Sequence, residues 1–157
     1  MRAGRTRSRS SLLSATLLLG LAACGSPQPP AKKKIEWVSA PVGAVAAIVK
    51  SEQARATPSG RRVLVYVGAT WCEPCRRFHD AVKAGLLDEQ LGSLRLIEFD
   101  LDKDAPRLAE AGYAPKLIPL LALPDPQGRA SGRQTEGSIK GDGAVADLVP
   151  RLTALLQ

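Results

Sequence analysis

The stretch "GATWCEPCRRFHD", residues 68–80, sets Cys72 and Cys75 three positions apart, with Trp71 in front and Pro74 between them. Two thiols at that spacing can cycle between dithiol and disulfide, supply half the ligands of a tetrahedral metal site, or close a small structural loop. A zinc or copper centre needs more donors. His79 is the sole histidine, and with Cys72 and Cys75 it leaves the fourth position without a ligand at a recognisable spacing. An inert disulfide over so short a loop removes little unfolded-chain entropy compared with one closing a long loop. Thiol redox chemistry is the reading these residues favour, with no metal and no cofactor expected. A metal-binding pair remains an alternative.

A cysteine attacks as its thiolate, so its place in the fold matters as much as its presence. "RRVLVYV", residues 61–67, is a near-continuous run of β-branched and apolar residues, the mark of a strand covered on both faces. Behind the motif, Cys75, Phe78, Val82 and Leu86 recur at helical spacing. The spacing predicts a helix that begins at Cys72. There, unpaired N–H groups and the macrodipole favour a thiolate, and Pro74 falls in the first turn, where its missing N–H costs nothing. Arg76 should add to that field and Glu73 should oppose it by like charge. The same geometry leaves Cys72 outward-facing and puts Cys75 on the covered stripe. Cys72 is therefore expected to be the nucleophile and Cys75 the resolving thiol. His79 flanks the apolar stripe and reads as an edge-of-core residue.

The remaining elements alternate in type. "KIEWV" is a strand candidate, and "PVGAVAAIVKSEQARA" has a helical pattern opened by Pro41. "TPSG" breaks the chain, "LRLIEFDLD" forms a second central strand, and "APRLAEAG" a short helix. "IPLLALP" is a third strand, "PDPQG" a turn, "GRQTEGSI" an edge strand, and "DGAVADLVPRLTALL" a final amphipathic helix. Strands separated by helices, closing with a hairpin and a helix, predict one α/β domain over residues 35–157 with a central mixed sheet flanked by helices. Alternation in "LRLIEFD" and beyond places Leu96, Glu98 and Asp100 on one face and Ile97, Phe99 and Leu101 on the other.

"YVGATWCEPC" with "RRF", then "FDLDKD", "GYAPKLIPLLAL" and "EGSIKG", resembles the thioredoxin family in order and spacing across nearly all of residues 35–157. The resemblance implies a thioredoxin-like fold and thiol-disulfide exchange. It also implies active-site roles for Trp71, Cys72 and Cys75, and a cis-proline at Pro119, preceded by Ile118, facing the pair. Trp71, Glu73, Pro74 and Ile118 would then meet the substrate. "WCEPC" is similar to extracytoplasmic thioredoxin-like reductants as well. Two positions depart from the family. Where thioredoxins bury an aspartate six residues before the first cysteine, to assist proton transfer, this chain has Tyr66. Where the neighbouring strand carries that aspartate's lysine partner, it has Glu98. Either a buried carboxylate has moved to the adjacent strand, making Glu98 catalytic with a raised pKa, or Glu98 reaches solvent at the sheet end. The implied partners are protein or peptide disulfides and an electron donor, with the protein a monomer. A reading from another class is a redox-inactive module holding an extended peptide between the cysteine pair and Pro119.

The first residues bear on compartment. "MRAGRTRSRS" carries four arginines and no acid, and an apolar run of about a dozen residues follows, the layout of a secretory signal and shorter than a spanning helix. It ends in "LAAC", which resembles the lipobox of bacterial lipoproteins, whose cysteine becomes the lipidated first residue. On this reading residues 1–23 are removed, Cys24 carries the lipid, and "GSPQPPAKKK", residues 25–34, is a tether. The protein would then be extracytoplasmic and membrane-anchored. Gly25 favours the outer membrane, facing the periplasm, in a host with two membranes. Loss of the leader leaves 18 basic residues against 15 acidic ones, and the Lys32–Lys34 run has no interleaved aromatics, so no nucleic-acid partner is expected. Mass spectrometry of the mature protein is expected to find a lipid-modified N-terminus at Cys24; an unmodified N-terminus at another residue would refute the assignment.

Overall fold

Two kinds of apolar pattern set the elements: runs that must be covered on both faces, and stripes at helical spacing. The computed structural model describes Met1 and residues 33–157. The leader, Cys24 and most of the tether lie outside the described residues. Contacts divide the chain into Met1–Pro30 and Ala31–Gln157, and the second unit carries all the regular elements described. In chain order these are β1 (Glu36–Ser39), α1 (Val45–Ala56), β2 (Arg62–Gly68), α2 (Glu73–Lys83), α3 (Asp88–Leu91), β3 (Leu94–Asp100), α4 (Leu101–Glu110), β4 (Leu120–Pro124), β5 (Ala130–Glu136) and α5 (Ala144–Leu155).

The strands form one mixed sheet in the order β1-β3-β2-β4-β5. β3 runs parallel to both β1 and β2, while β4 is antiparallel to β2 and to β5. This is the expected thioredoxin-like α/β arrangement. Pleating sends alternate residues of the central strands to opposite faces. Leu64, Tyr66 and Leu96 pack with Cys75 and Phe78 of α2 and with Leu148 and Leu152 of α5. Val65, Val67, Ile97 and Phe99 pack with Val49 of α1 and Leu108 of α4 on the other face. At the start of the sheet Glu52 of α1, only 4% exposed, accepts from Arg95 of β3 at 2.8 and 2.5 Å, and Arg95 also pairs with Glu36. A buried carboxylate needs such a partner, and this one joins α1, β1 and β3.

Several boundaries differ from the sequence expectation for local reasons. α1 begins at Val45 rather than Pro41, because Gly43 adopts φ 135°, outside the helical region. The strand read from "LRLIEFDLD" ends at Asp100, which instead caps α4. Its side chain accepts from the Asp102 N–H at 3.0 Å, and Asp104 accepts from the Asp100 N–H at 2.9 Å. Leu86 is not part of the α2 stripe. The helix stops at Lys83, Gly85 turns the chain with φ 73°, and Leu86 is exposed while Leu87 is buried. β5 starts at Ala130 and ends before Gly137, whose φ of 65° breaks the strand.

Candidate active site

β2 delivers the chain to the head of α2, where Cys72 is the N-cap. Its sulfur accepts the Cys75 N–H at 3.2 Å, and Pro74 sits in the first turn. Cys72 and Cys75 form a disulfide with Cα atoms 5.2 Å apart. The Ile118–Pro119 bond is cis, and the Ile118 carbonyl oxygen lies 3.8 Å from Cys72 Sγ. The cis-proline turn thus faces the pair.

The expectation that Cys72 is outward-facing and only Cys75 is covered needs correction. Both are buried, at 4% and 3% exposure. Cys72 is covered by the Ile118 turn, which approaches from 46 residues along the chain. What separates the two is the space each borders. Cys72 lines a cleft of about 310 Å³ that also includes Trp71, Glu73, Pro74 and Ile118, so the structure brings those four expected binding residues together around it. Cys75 lines a different cavity of about 550 Å³, with Tyr66, Arg76, His79 and Glu98 in its wall.

Tyr66 lies beneath the pair. Its ring is 2% exposed, and its hydroxyl donates to the Cys75 carbonyl at 3.4 Å. The ring fits along its own strand because Gly68 has no side chain: a Cβ there would sit 2.8 Å from the Tyr66 oxygen. Parallel pairing of β2 with β3 puts Tyr66 in register with Glu98. Glu98 is half-buried, and its Oε2 accepts the Trp37 indole N–H at 2.8 Å. Neither sequence alternative for Glu98 describes this fully, since the carboxylate is neither sealed under the pair nor free in solvent. Trp37 is the residue sequence reading assigned no role. It stands 4.8 Å from the Tyr66 ring and packs edge-on against His79, also at 4.8 Å. The available signal was a tryptophan in a short strand, whose N–H needs an acceptor once covered.

The carboxylate next to Cys72 is paired. Glu73 bonds Arg77 and accepts from the Gly141 N–H at 3.1 Å, and those two contacts, Arg77 first, hold its carboxyl below the usual carboxylate range. Its opposition to a Cys72 thiolate is correspondingly damped. Arg76 is exposed and borders the Cys75 cavity. Trp71 is 64% exposed, with its N–H donating to Asp102 at 2.9 Å.

No protein-family model matches the chain, and no curated protein matches it. Solved structures do. The chain is similar to a thioredoxin variant from Halobacterium salinarum NRC-1 at 23% identity over 77% of this chain and 94% of that one, with a TM-score of 0.43. It is similar to thioredoxin O1 from Arabidopsis thaliana in the oxidized state at 16% identity, covering 77% and 95% of the two chains, with a TM-score of 0.44. It is also similar to the thioredoxin NaTrxh from Nicotiana alata at 17% identity, covering 71% and 85%, with a TM-score of 0.42.

The chain's two tyrosines, Tyr66 and Tyr113, are both buried. Burial foremost pushes their hydroxyls above the ordinary tyrosine value of about 10. The charge of Glu98 adds to this for Tyr66 and that of Asp125 for Tyr113, while Arg129 partly offsets the latter. The unfolded chain therefore loses these protons first. Their contribution to stability is complete below about pH 10 and is lost as pH rises further. In a spectrophotometric titration, phenolate absorbance is expected to appear only together with unfolding, well above pH 10. Phenolate signal near that pH in protein with an intact circular dichroism spectrum would contradict the assignment.

Proposed function

We propose that this chain is a thiol-disulfide oxidoreductase of thioredoxin type that reduces protein disulfides outside the cytoplasm, held at a bacterial membrane by lipid on Cys24. The observation that carries the redox reading is the Cys72–Cys75 disulfide at the N-terminus of α2, faced by the Ile118 carbonyl. The anchoring rests on the "LAAC" stretch alone.

In the reduced protein the Cys72 thiolate attacks one sulfur of a substrate disulfide, forming a mixed disulfide and expelling the other substrate sulfur as a thiolate. Helix N–H groups stabilise the attacking thiolate, and Arg77 limits the opposing effect of Glu73. Cys75 then attacks the Cys72 sulfur, releasing the second substrate thiolate and leaving the internal disulfide. Two electrons pass to the substrate. A separate thiol or dithiol donor must return them.

Cys75 has to lose a proton before it attacks. Tyr66 is a poor base for this, because its hydroxyl is neutral and engaged with the Cys75 carbonyl. Glu98 borders the same cavity as Cys75, and water admitted there can pass the proton to it. The Trp37 N–H holds the carboxylate in place from β1.

Replacing Cys75 with Ser is expected to trap substrates as mixed disulfides on Cys72, released by dithiothreitol. The Cys72→Ser variant should trap almost none. Affinity capture from cell envelopes with non-reducing electrophoresis reads this out. Equal trapping by both would overturn the assignment, and trapping by neither, with no Cys72-dependent insulin reduction, would favour the redox-inactive peptide-binding module.

Glu98→Gln should slow the release step by on the order of a hundredfold while leaving the first attack nearly unchanged. Single-turnover kinetics near neutral pH separate the two steps; unchanged rates for both would make the carboxylate a bystander.

A further inference from the structure

We infer that the cleft beside Cys72 selects disulfides carried on acidic protein segments, with Lys116 and Lys140 as the groups that read the charge. The inference rests on the dithiol reading and names the substrate class of that site.

The cleft has an apolar platform at its mouth. Trp71 and Leu117, both lining the cleft, are each 64% exposed, so two large apolar side chains stand beside one reactive sulfur. Lys116 and Lys140 both line the cleft and are both exposed. Neither ammonium has a hydrogen bond or ion pair among the described residues.

The acids nearby are engaged. Glu73 is held by Arg77 and the Gly141 N–H, and Asp142 by Arg77. Asp147 is held by Arg151 and Ser138. Glu136 accepts the N–H groups of Lys116 and Leu117, and Asp102 accepts the Trp71 indole N–H. Glu136 and Asp102 keep their charge, since their donors are neutral, but neither lines the cleft. The cleft's own charged side chains are Glu73, paired with Arg77, and the two lysines. An incoming chain therefore meets two cations without an ion-pair partner among the described residues, over a largely apolar floor. A segment carrying an apolar side chain and carboxylates next to its disulfide is complementary to that surface; a basic one is repelled.

Surface charges of this kind act mainly on encounter, so the discrimination should be modest and sensitive to salt. Two lysines acting together amount to about a tenfold difference in second-order rate between oppositely charged substrates.

The test uses two synthetic peptides with the same disulfide loop, one flanked by aspartates and one by lysines. Each oxidises pre-reduced protein in stopped flow, and the quantity read is the ratio of the two second-order rates, each divided by that peptide's rate with a neutral small thiol so that its own disulfide reactivity cancels. The acidic peptide is expected to react about tenfold faster at low salt, with the ratio collapsing toward one near 1 M salt, where the Debye length is about 3 Å. The double substitution Lys116→Glu and Lys140→Glu should invert the ratio. Equal rates for both peptides, or a preference that survives the double substitution, would overturn the inference.

Failure of the dithiol reading gives a different result: the wild-type protein would react with neither peptide nor with hydroxyethyl disulfide. Binding of the same peptides to the Cys72→Ser, Cys75→Ser protein, followed by tryptophan fluorescence, then decides the charge preference without any redox step. Tighter binding of the acidic peptide supports the inference, and equal or reversed affinities refute it.

Discussion

One hydrogen bond joins the fold to its chemistry: the Cys75 N–H donating to the Cys72 sulfur at the head of α2. A helix must find acceptors for its first N–H groups, and here the reactive atom is one of them. The bond requires β2 to end where it does, so that three residues, Ala69, Thr70 and Trp71, carry the chain from Gly68 to the cap. It also requires α2 to press Phe78 and Ala81 against the sheet, which fixes the helix axis. The cis-proline turn closes over the same sulfur. In the proposed mechanism, a polar device that usually serves helix stability would bias the reduced Cys72 toward its thiolate.

Much of this was legible in the sequence because it depends on short-range pattern. The apolar run of β2, the stripe of α2 and the weak edge of β5 each report their burial directly, and the strand-to-helix junction at the motif follows from them. The errors fall where a single backbone conformation or cap decides. Gly43 delays α1, and Asp100 turns an apparent strand residue, Leu101, into the first residue of a helix. Pro119 was legible only through the family resemblance, since spacing alone does not mark a cis bond.

What remained hidden depends on distant segments meeting. The cover over Cys72 comes from Ile118, which no reading of α2 alone includes. Trp37 reaches Glu98 only because β1 lies beside β3 rather than beside its sequence neighbour β2, and strand order is not written in any one strand. A neutral tyrosine at the position of an expected acid is visible in the sequence. Its consequence, a hydroxyl that bonds the backbone of Cys75, is visible only in the packing.

A tyrosine rather than an acid at position 66 accords with what burial costs. A carboxylate at the Tyr66 position would be almost wholly enclosed and would need a charged or donor partner there, or would take up a proton. A phenol tolerates the same enclosure as a neutral donor, and its ring adds apolar area against Trp37 and Phe78. Glu98, in register on the next strand, borders a cavity while one of its oxygens is held by an indole N–H. The two cysteines of the disulfide open onto different spaces. Cys72 borders the cleft with Trp71, Leu117 and Ile118, where another polypeptide would dock, and Cys75 borders the cavity with Glu98, where a proton would leave. In dithiol chemistry these demands conflict if they share one opening, because the water that carries a proton competes with the dry contact that holds a partner. Separate openings on either side of a 5.2 Å Cα–Cα pair meet both.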